Sequence, residues 1–304
     1  MMNRLKILVT GANGFIGKKL FEKCLEEGNL VYGWDCFNDN NKKVKLVNLS
    51  DVEDICENLY DIKPNIVIHC AGSADVSKSV MFPEKDYEGN VTLTHNLLFA
   101  LHSLGMDNVK FVYLSSAGVY GNPIHLPITE KTPTNPLSPY ALHKVMCEKM
   151  CDYFANNYGM EIRIARIFSA YGDGLKKQIF WDMSKKLVET GKLEMFGTGN
   201  ESRDYIHVDD LVDALYLIGT ATTSERYINV ANGEEHTIKY VTELFAEQMG
   251  LEKDKILFNN VVREGDPLNW RADVTKLKSL GYSKSIEMSS GIERYCKWVK
   301  GTIK

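Results

Sequence analysis

Tyr140 and Lys144 stand four residues apart in Tyr140-Ala141-Leu142-His143-Lys144. On a helix that spacing puts a phenol and an ammonium on one face. A phenol titrates at about 10 in water, and a nearby ammonium and a cationic nicotinamide would both favour phenolate. Tyr140 could then take a proton from an alcohol while hydride leaves the alcohol carbon. Ser116 would hydrogen-bond the same oxygen, and Lys144 would also hold a nicotinamide ribose. Tyr-x-x-x-Lys alone is a common chance match. Here a Pro-rich entry (Pro133, Pro136, Pro139) precedes it, and Ser115-Ser116 end a strand-like run upstream.

Hydride chemistry needs a carrier, and the first strand–helix junction offers one a seat. Thr10-Gly11-Ala12-Asn13-Gly14-Phe15-Ile16-Gly17 places glycines at 11, 14 and 17. The first permits a tight turn, the second lets a pyrophosphate approach backbone N–H groups, and the third lets helix pack on strand. The helix N-terminus adds unpaired N–H groups and a favourable dipole. Asp35 lies 18 residues beyond Gly17, where a carboxylate can accept both ribose hydroxyls and repel a 2′-phosphate. No arginine adjoins it, so NAD is favoured over NADP. Asn48 and Leu49 are placed to touch adenine, while Asp51 reads equally well as a helix cap.

The elements that must hold these residues alternate. Strand-like runs at 5–9, 30–35, 44–47, 65–70, 109–114 and 161–167 interleave with helical periodicity at 15–28, 51–62, about 87–104 and about 139–157. This predicts an α/β protein: a Rossmann-type doubly wound parallel sheet with helices on both faces. Beyond about residue 170 the rhythm changes. Helices near 178–190, 208–218, 237–249 and 287–300, with strands at 227–230 and 256–258, predict a smaller α/β C-terminal substrate domain. The expected division gives 1–170 to dinucleotide binding, with about 208–231 returning to it. Residues 171–207 and 232–304 would bind substrate.

Composition narrows the classes. The chain has 304 residues, 44% hydrophobic and 25% charged, with net charge −4. That suits a globular protein and disfavours disorder, nucleic acid or an anionic membrane as partner. No apolar run approaches the roughly 18 residues of a membrane span, and the N-terminal residues run into a strand without a signal-peptide core. The seven cysteines (24, 36, 56, 70, 147, 151, 296) form no Cys-x-x-Cys. They predict buried, reduced thiols in a cytoplasmic protein with no metal site.

The motifs together resemble the extended short-chain dehydrogenase/reductase family, in its nucleotide-sugar epimerase/dehydratase branch. Beyond Thr10–Gly17 and Tyr140-x-x-x-Lys144, His69-Cys70-Ala71-Gly72 resembles the family's fourth-strand motif, and Asn90-Val91 the start of its next helix. The resemblance implies that Ala71, Gly72, Ser73, Asn90 and Ser115 border the cofactor. Leu114–Gly121 resembles the serine motif of UDP-galactose 4-epimerases. Arg203–Asp210 and Arg263-Glu264-Gly265-Asp266-Pro267 resemble nucleotide-diphosphate segments, so Ser116, Ser169, Gln178, Arg203, Arg263 and Asp266 are the implied substrate contacts. An arginine fork suits diphosphate oxygens, although either arginine could instead be a surface ion pair. Phe196–Gly199 resembles the turn that shapes the base pocket, and Trp181 could line it or lie in the core.

Departures from the pattern matter. Ala117 and Gly118 stand where dehydratases of the branch carry an acidic pair that eliminates water, which disfavours a 4,6-dehydratase. Ser169 replaces a frequent asparagine, and His143 a frequent serine, as a packing or surface change. The resemblance implies a nucleotide-sugar 4-epimerase acting on a UDP-, dTDP-, GDP- or CDP-hexose through a 4-keto intermediate. A 4-ketoreductase of a 4-keto-6-deoxy sugar nucleotide uses the same residues, and a non-catalytic dinucleotide sensor is a third reading. It also implies a homodimer through helices at about 91–104 and 140–157.

Overall fold

The computed structural model describes residues 4–37, 43–261 and 268–303. The first half alternates β1 (Lys6–Thr10), α1 (Phe15–Glu26), β2 (Leu30–Asp35), β3 (Val44–Leu46), α2 (Val52–Ile62) and β4 (Ile66–His69). Short helices α3 (Val76–Met81) and α4 (Pro83–Tyr87) lead through a π-helical turn (Glu88–Thr92) into α5 (Leu93–Ser103). Then follow β5 (Lys110–Ser116), a 3₁₀ turn (Ala117–Tyr120), α6 (Pro139–Tyr158) and β6 (Ile162–Ile167). The second half runs through β7 (Ser169–Tyr171), α7 (Gln178–Thr190), β8 (Leu193–Met195), β9 (Ser202–Arg203) and β10 (Tyr205–His207). It continues with α8 (Val208–Thr220), β11 (Tyr227–Val230), β12 (His236–Thr237), α9 (Ile238–Met249), β13 (Ile256–Phe258), α10 (Thr275–Ser279) and α11 (Met288–Lys300).

Seven strands form one parallel sheet in the order β11-β6-β5-β4-β1-β2-β3. The apolar runs read as strands because both faces are covered: Ile7, Leu8 and Val9 are fully buried, as a central parallel strand requires. On one face Leu20, Phe21 and Cys24 of α1 meet Leu211, Leu215 and Ile218 of α8. On the other, α2, α5 and α6 supply Leu59, Leu97, Leu101, Cys147 and Cys151. A separate core around Phe180, Phe245, Ile292 and Tyr295 holds α7, α9 and α11 together.

The helix expected over about 87–104 begins earlier. Pro83 opens α4 at its first turn, where its missing N–H is harmless, and the π turn inserts the irregularity before α5. The short pairs β7–β10 and β9–β12 escape sequence periodicity because two or three residues carry none. All seven cysteines are free thiols; Cys24, Cys147, Cys151 and Cys296 are buried, whereas Cys36 is exposed, against expectation, just past the end of β2. No described helix is long and apolar enough to cross a membrane.

Candidate active site

The chain lays β2 and β3 outward from β1, then returns to place β4 on β1's other side. Ligands of such sheets lie outside the carboxyl ends of the strands at that reversal. The Gly11–Gly17 turn sits there. Gly11 adopts φ +66°, and a Cβ on it would come 2.7 Å from the Ala71 nitrogen. At Gly17 an added Cβ would run into the Gly11 carbonyl, so the last glycine is where α1 presses on the turn. Gly14 opens α1 with no side-chain cap among the described residues, and an uncapped helix N-terminus of this kind suits an anion. Backbone cannot yield as a side chain can, and overpacking costs about 1–3 kcal/mol. Gly17→Ala should therefore weaken dinucleotide affinity about tenfold or more, measured by fluorescence titration of stripped protein; unchanged affinity would contradict this role.

Asp35 ends β2 and is buried. One oxygen accepts the Asn13 N–H at 2.8 Å and the other the Cys36 N–H at 2.8 Å. It braces the turn between β1 and α1 against the end of β2. The Asn13 amide donates to the Phe37 carbonyl at 2.8 Å. Asn48 uses its own Oδ1 to accept the Ser50 N–H, and Asp51 caps α2 by accepting from Glu53; Leu49 is buried, its carbonyl taken by Asn96. Thr10 Oγ1 meets His69 Nδ1 at 2.7 Å and accepts the Ala71 N–H, tying β1 to β4. Asn90, on the π turn, is buried; its Oδ1 has no described partner and lies 2.8 Å from where a Gly72 Cβ would be.

A cleft of about 690 Å³ continues from this groove toward the second half of the chain. Ile16, Gly72, Ser73, Ser115, Ser116, Tyr140 and Lys144 line one side, and Ser169, Gln178, Trp181, Phe196 and Arg203 the other. Ser138 caps α6 by accepting the Ala141 N–H at 3.2 Å, which fixes where Tyr140 and Lys144 enter. Tyr140 and Ser116 line the cleft together, and Ser116 pulls the phenol down. Lys144 Nζ donates to the Leu114 carbonyl at 2.9 Å and lies 5.8 Å from the Tyr140 ring centroid. Gln178 opens α7 with φ +65°, a strained backbone for a residue with a Cβ. Arg203 donates from Nη1 to the Ser202 and Leu268 carbonyls at 2.8 and 3.2 Å, its guanidinium 5.6 Å from the Trp270 ring.

A profile of the NAD-dependent epimerase/dehydratase family matches residues 7–231. The chain belongs to this family. A UDP-glucose 4-epimerase of Mycolicibacterium smegmatis is 31% identical over 310 residues, covering 95% of this chain and 97% of that one. The Thermus thermophilus UDP-glucose 4-epimerase solved with NAD superposes with a TM-score of 0.87 at 26% identity, covering 98% and 100% of the two chains. The Thermotoga maritima UDP-glucose 4-epimerase solved with UDP-glucose gives 0.88 at 25% identity, covering 99% and 100%.

The electrostatics of the protein groups bear on one expectation. Phenolate at Tyr140 is expected from Lys144 and a cationic nicotinamide acting together, and Lys144 is not among the groups that lower the phenol. Instead burial pushes the phenol up to about 12, against a lowering by Ser116, and Asp86 raises it further. Lys144 spends its contact on a carbonyl, and burial lowers its own pKa. Arg263 and Asp266 lie outside the described residues. Sequence reasoning also missed Glu148, which accepts the Ser115 hydroxyl at 2.6 Å and pairs with Arg166 at 2.7 Å. The signal was present: Tyr140, Lys144 and Glu148 share one helix face at steps of four. Of the two expectations for His143 the structure bears out packing and not a surface change: it is buried against Tyr87 and hydrogen-bonded to Asp86.

Proposed function

We propose that this chain is a nucleotide-sugar 4-epimerase using NAD. The carrying observation is the meeting of Tyr140, Ser116 and Lys144 in one cleft beside an uncapped helix N-terminus, in a chain of the epimerase/dehydratase family. The cradle suits the cofactor: glycines at 11 and 17 admit no Cβ, and Asp35 closes the ribose end. We assign Gly11, Asn13, Gly14, Phe15, Ile16, Gly17, Asp35, Asn48, Leu49, Ala71, Gly72, Ser73, Asn90, Ser115, Tyr140 and Lys144 to NAD. Ser116, Ser169, Gln178 and Arg203 go to the sugar nucleotide, with Arg263 and Asp266 joining them from the 262–267 segment. In this reading 1–170 with 208–231 holds NAD, and 171–207 with 232–304 holds substrate.

When bound, NAD takes up and returns the hydride of sugar C4. Tyr140 Oη accepts the C4 hydroxyl proton as that hydride departs, and Ser116 Oγ hydrogen-bonds the same oxygen. Lys144, held by the Leu114 carbonyl, orients the ribose. After the 4-keto sugar turns over in the cleft, Tyr140 returns the proton from its hydroxyl, and the net redox change is zero. Gly118, in the cleft close to Tyr140, has no proton to give, so the cleft lacks at that point the acid that water elimination needs.

Purified protein given UDP-galactose with no added reductant should form UDP-glucose to near equilibrium, read by coupled assay. Stoichiometric consumption of NADH or NADPH with a 4-keto sugar nucleotide, and no interconversion, would overturn the reading in favour of a reductase. Exposed Phe99 on α5 and Leu142, Met146 and Tyr153 on α6 support a homodimer, since apolar surface of this kind favours burial against a second copy. Seven free thiols suit the reducing cytoplasm.

A further inference from the structure

Lys144 is buried, 6% exposed, and pairs with no carboxylate among the described residues. The next acid along α6, Glu148, is given over to Arg166 and the Ser115 hydroxyl. One ammonium N–H goes to the Leu114 carbonyl at 2.9 Å. The charge also lies over two ring faces, with Nζ 5.0 Å from the centroid of Tyr113 and 5.8 Å from that of Tyr140. Both distances fall inside the roughly 6 Å within which a negative ring face attracts a cation, an attraction that grows as water is removed. Alternation along β5 produces the arrangement. Val112 and Leu114 turn to the face covered by α1 and α8, Phe111 and Tyr113 to the face covered by α5 and α6. Consecutive residues therefore give Lys144 a ring and a carbonyl. His69, in register with Tyr113 across the β4–β5 pair, leans on that ring at 6.3 Å and is itself held by the Thr10 and Thr94 hydroxyls. An aliphatic side chain would fill a buried parallel strand as well without taking a hydroxyl out of water, so burial alone does not account for a tyrosine here.

We propose that Tyr113 is a positioning residue: the face of its ring seats the Lys144 ammonium and so sets where that ammonium meets the cofactor ribose. The ribose half of this statement rests on the epimerase reading above; the seat itself rests on the packing of β5 against α6. Burial raises the Tyr113 phenol well above its usual range, so the ring meets the cation as a neutral π face and not as a phenolate. Burial also disfavours the charge on Lys144. A π face steadies that charge without a buried anion, whose own removal from water would be costly. The second ring is that of Tyr140, so the seat also fixes the ammonium relative to the residue assigned to proton transfer.

A graded series separates the π face from bulk. Tyr113→Phe and the mono-, di- and trifluorinated forms of that ring keep nearly one shape, while each fluorine withdraws charge from the ring face. NAD affinity of stripped protein, by fluorescence titration, should fall stepwise along the series and be about tenfold weaker at the trifluorinated ring than at phenylalanine. Tyr113→Phe itself, which keeps the face, should retain the wild-type affinity, and Tyr113→Leu should bind as weakly as the trifluorinated ring or more weakly. Equal affinity along the fluorinated series would make Tyr113 a packing residue and overturn the proposal, whether or not Tyr113→Leu folds. A second readout needs neither cofactor nor turnover. In protein carrying carbon-13-labelled lysine, the Lys144 ε-methylene protons, assigned by their loss in Lys144→Met, should resonate upfield of the exposed lysines because ring currents shield them. That shift should persist in Tyr113→Phe and shrink in Tyr113→Leu. A wild-type protein that binds no dinucleotide sinks the reading above, and the seat is then judged by this resonance alone; an unshifted wild-type resonance overturns the seat.

Discussion

Tyr140→Phe should lower kcat for UDP-galactose about 10²- to 10⁴-fold, the range for removing a positioned general acid–base, with bound NAD and the melting temperature nearly unchanged. The ring stays, so the contacts of α6 with β5 survive. The hydroxyl's loss leaves Ser116 in place, its oxygen still accepting the Gly118 N–H at 3.1 Å; even a deleted hydrogen bond costs only about 1 kcal/mol. The separation between a small stability effect and a large kinetic one makes the experiment decisive. Turnover within a few fold of wild type would remove Tyr140 from the chemistry. Because burial holds the phenol near 12, wild-type turnover should rise with pH through the neutral range as ionisation becomes easier, and that slope should vanish in Tyr140→Phe.

What was legible in the sequence was local. Gly11, Gly14 and Gly17 declare a turn because each glycine answers to a neighbour within a few residues, and the β–α alternation declares the sheet because burial on both faces forces apolar runs. Tyr140 and Lys144 are readable because a helix converts their spacing into adjacency. The rest depends on partners far apart in sequence. His143 and Asp86 are separated by 57 residues, and Tyr120 and Asn229 by 109; no spacing rule brings them together. The π turn at Glu88–Thr92 breaks the 3.6-residue period that would announce it. The acidity of Tyr140 is out of reach for the same reason. Spacing shows that Lys144 is near, but only the packed structure shows the burial of the phenol and the ammonium turned to the Leu114 carbonyl.

The longest of these unread connections carries the largest expected stability loss. Glu148 accepts from Arg166 Nε at 2.9 Å and from Nη2 at 2.7 Å, and from the Ser115 hydroxyl at 2.6 Å. Arg166 Nη1 donates onward to the Tyr120 hydroxyl at 3.0 Å, which donates to Asn229 Oδ1 at 2.7 Å. The chain joins α6, β6, the turn after β5 and β11 beneath the catalytic cleft. Burial pulls the Arg166 guanidinium down, and Glu148 more than restores it, holding it above the usual arginine range. Glu148→Ala would leave that cation buried and unpaired, a loss of about 3–5 kcal/mol and of order 10 °C in Tm for a chain of this size. Replacing both partners, Glu148→Ala with Arg166→Met, should recover much of it, because the isolated charge and not the missing contact dominates. Calorimetry of the single and double variants checks both statements. A single variant melting within about 2 °C of wild type would mean that water reaches Arg166 and that the network does not fix Ser115 and the neighbouring Ser116 against the helix bearing Tyr140.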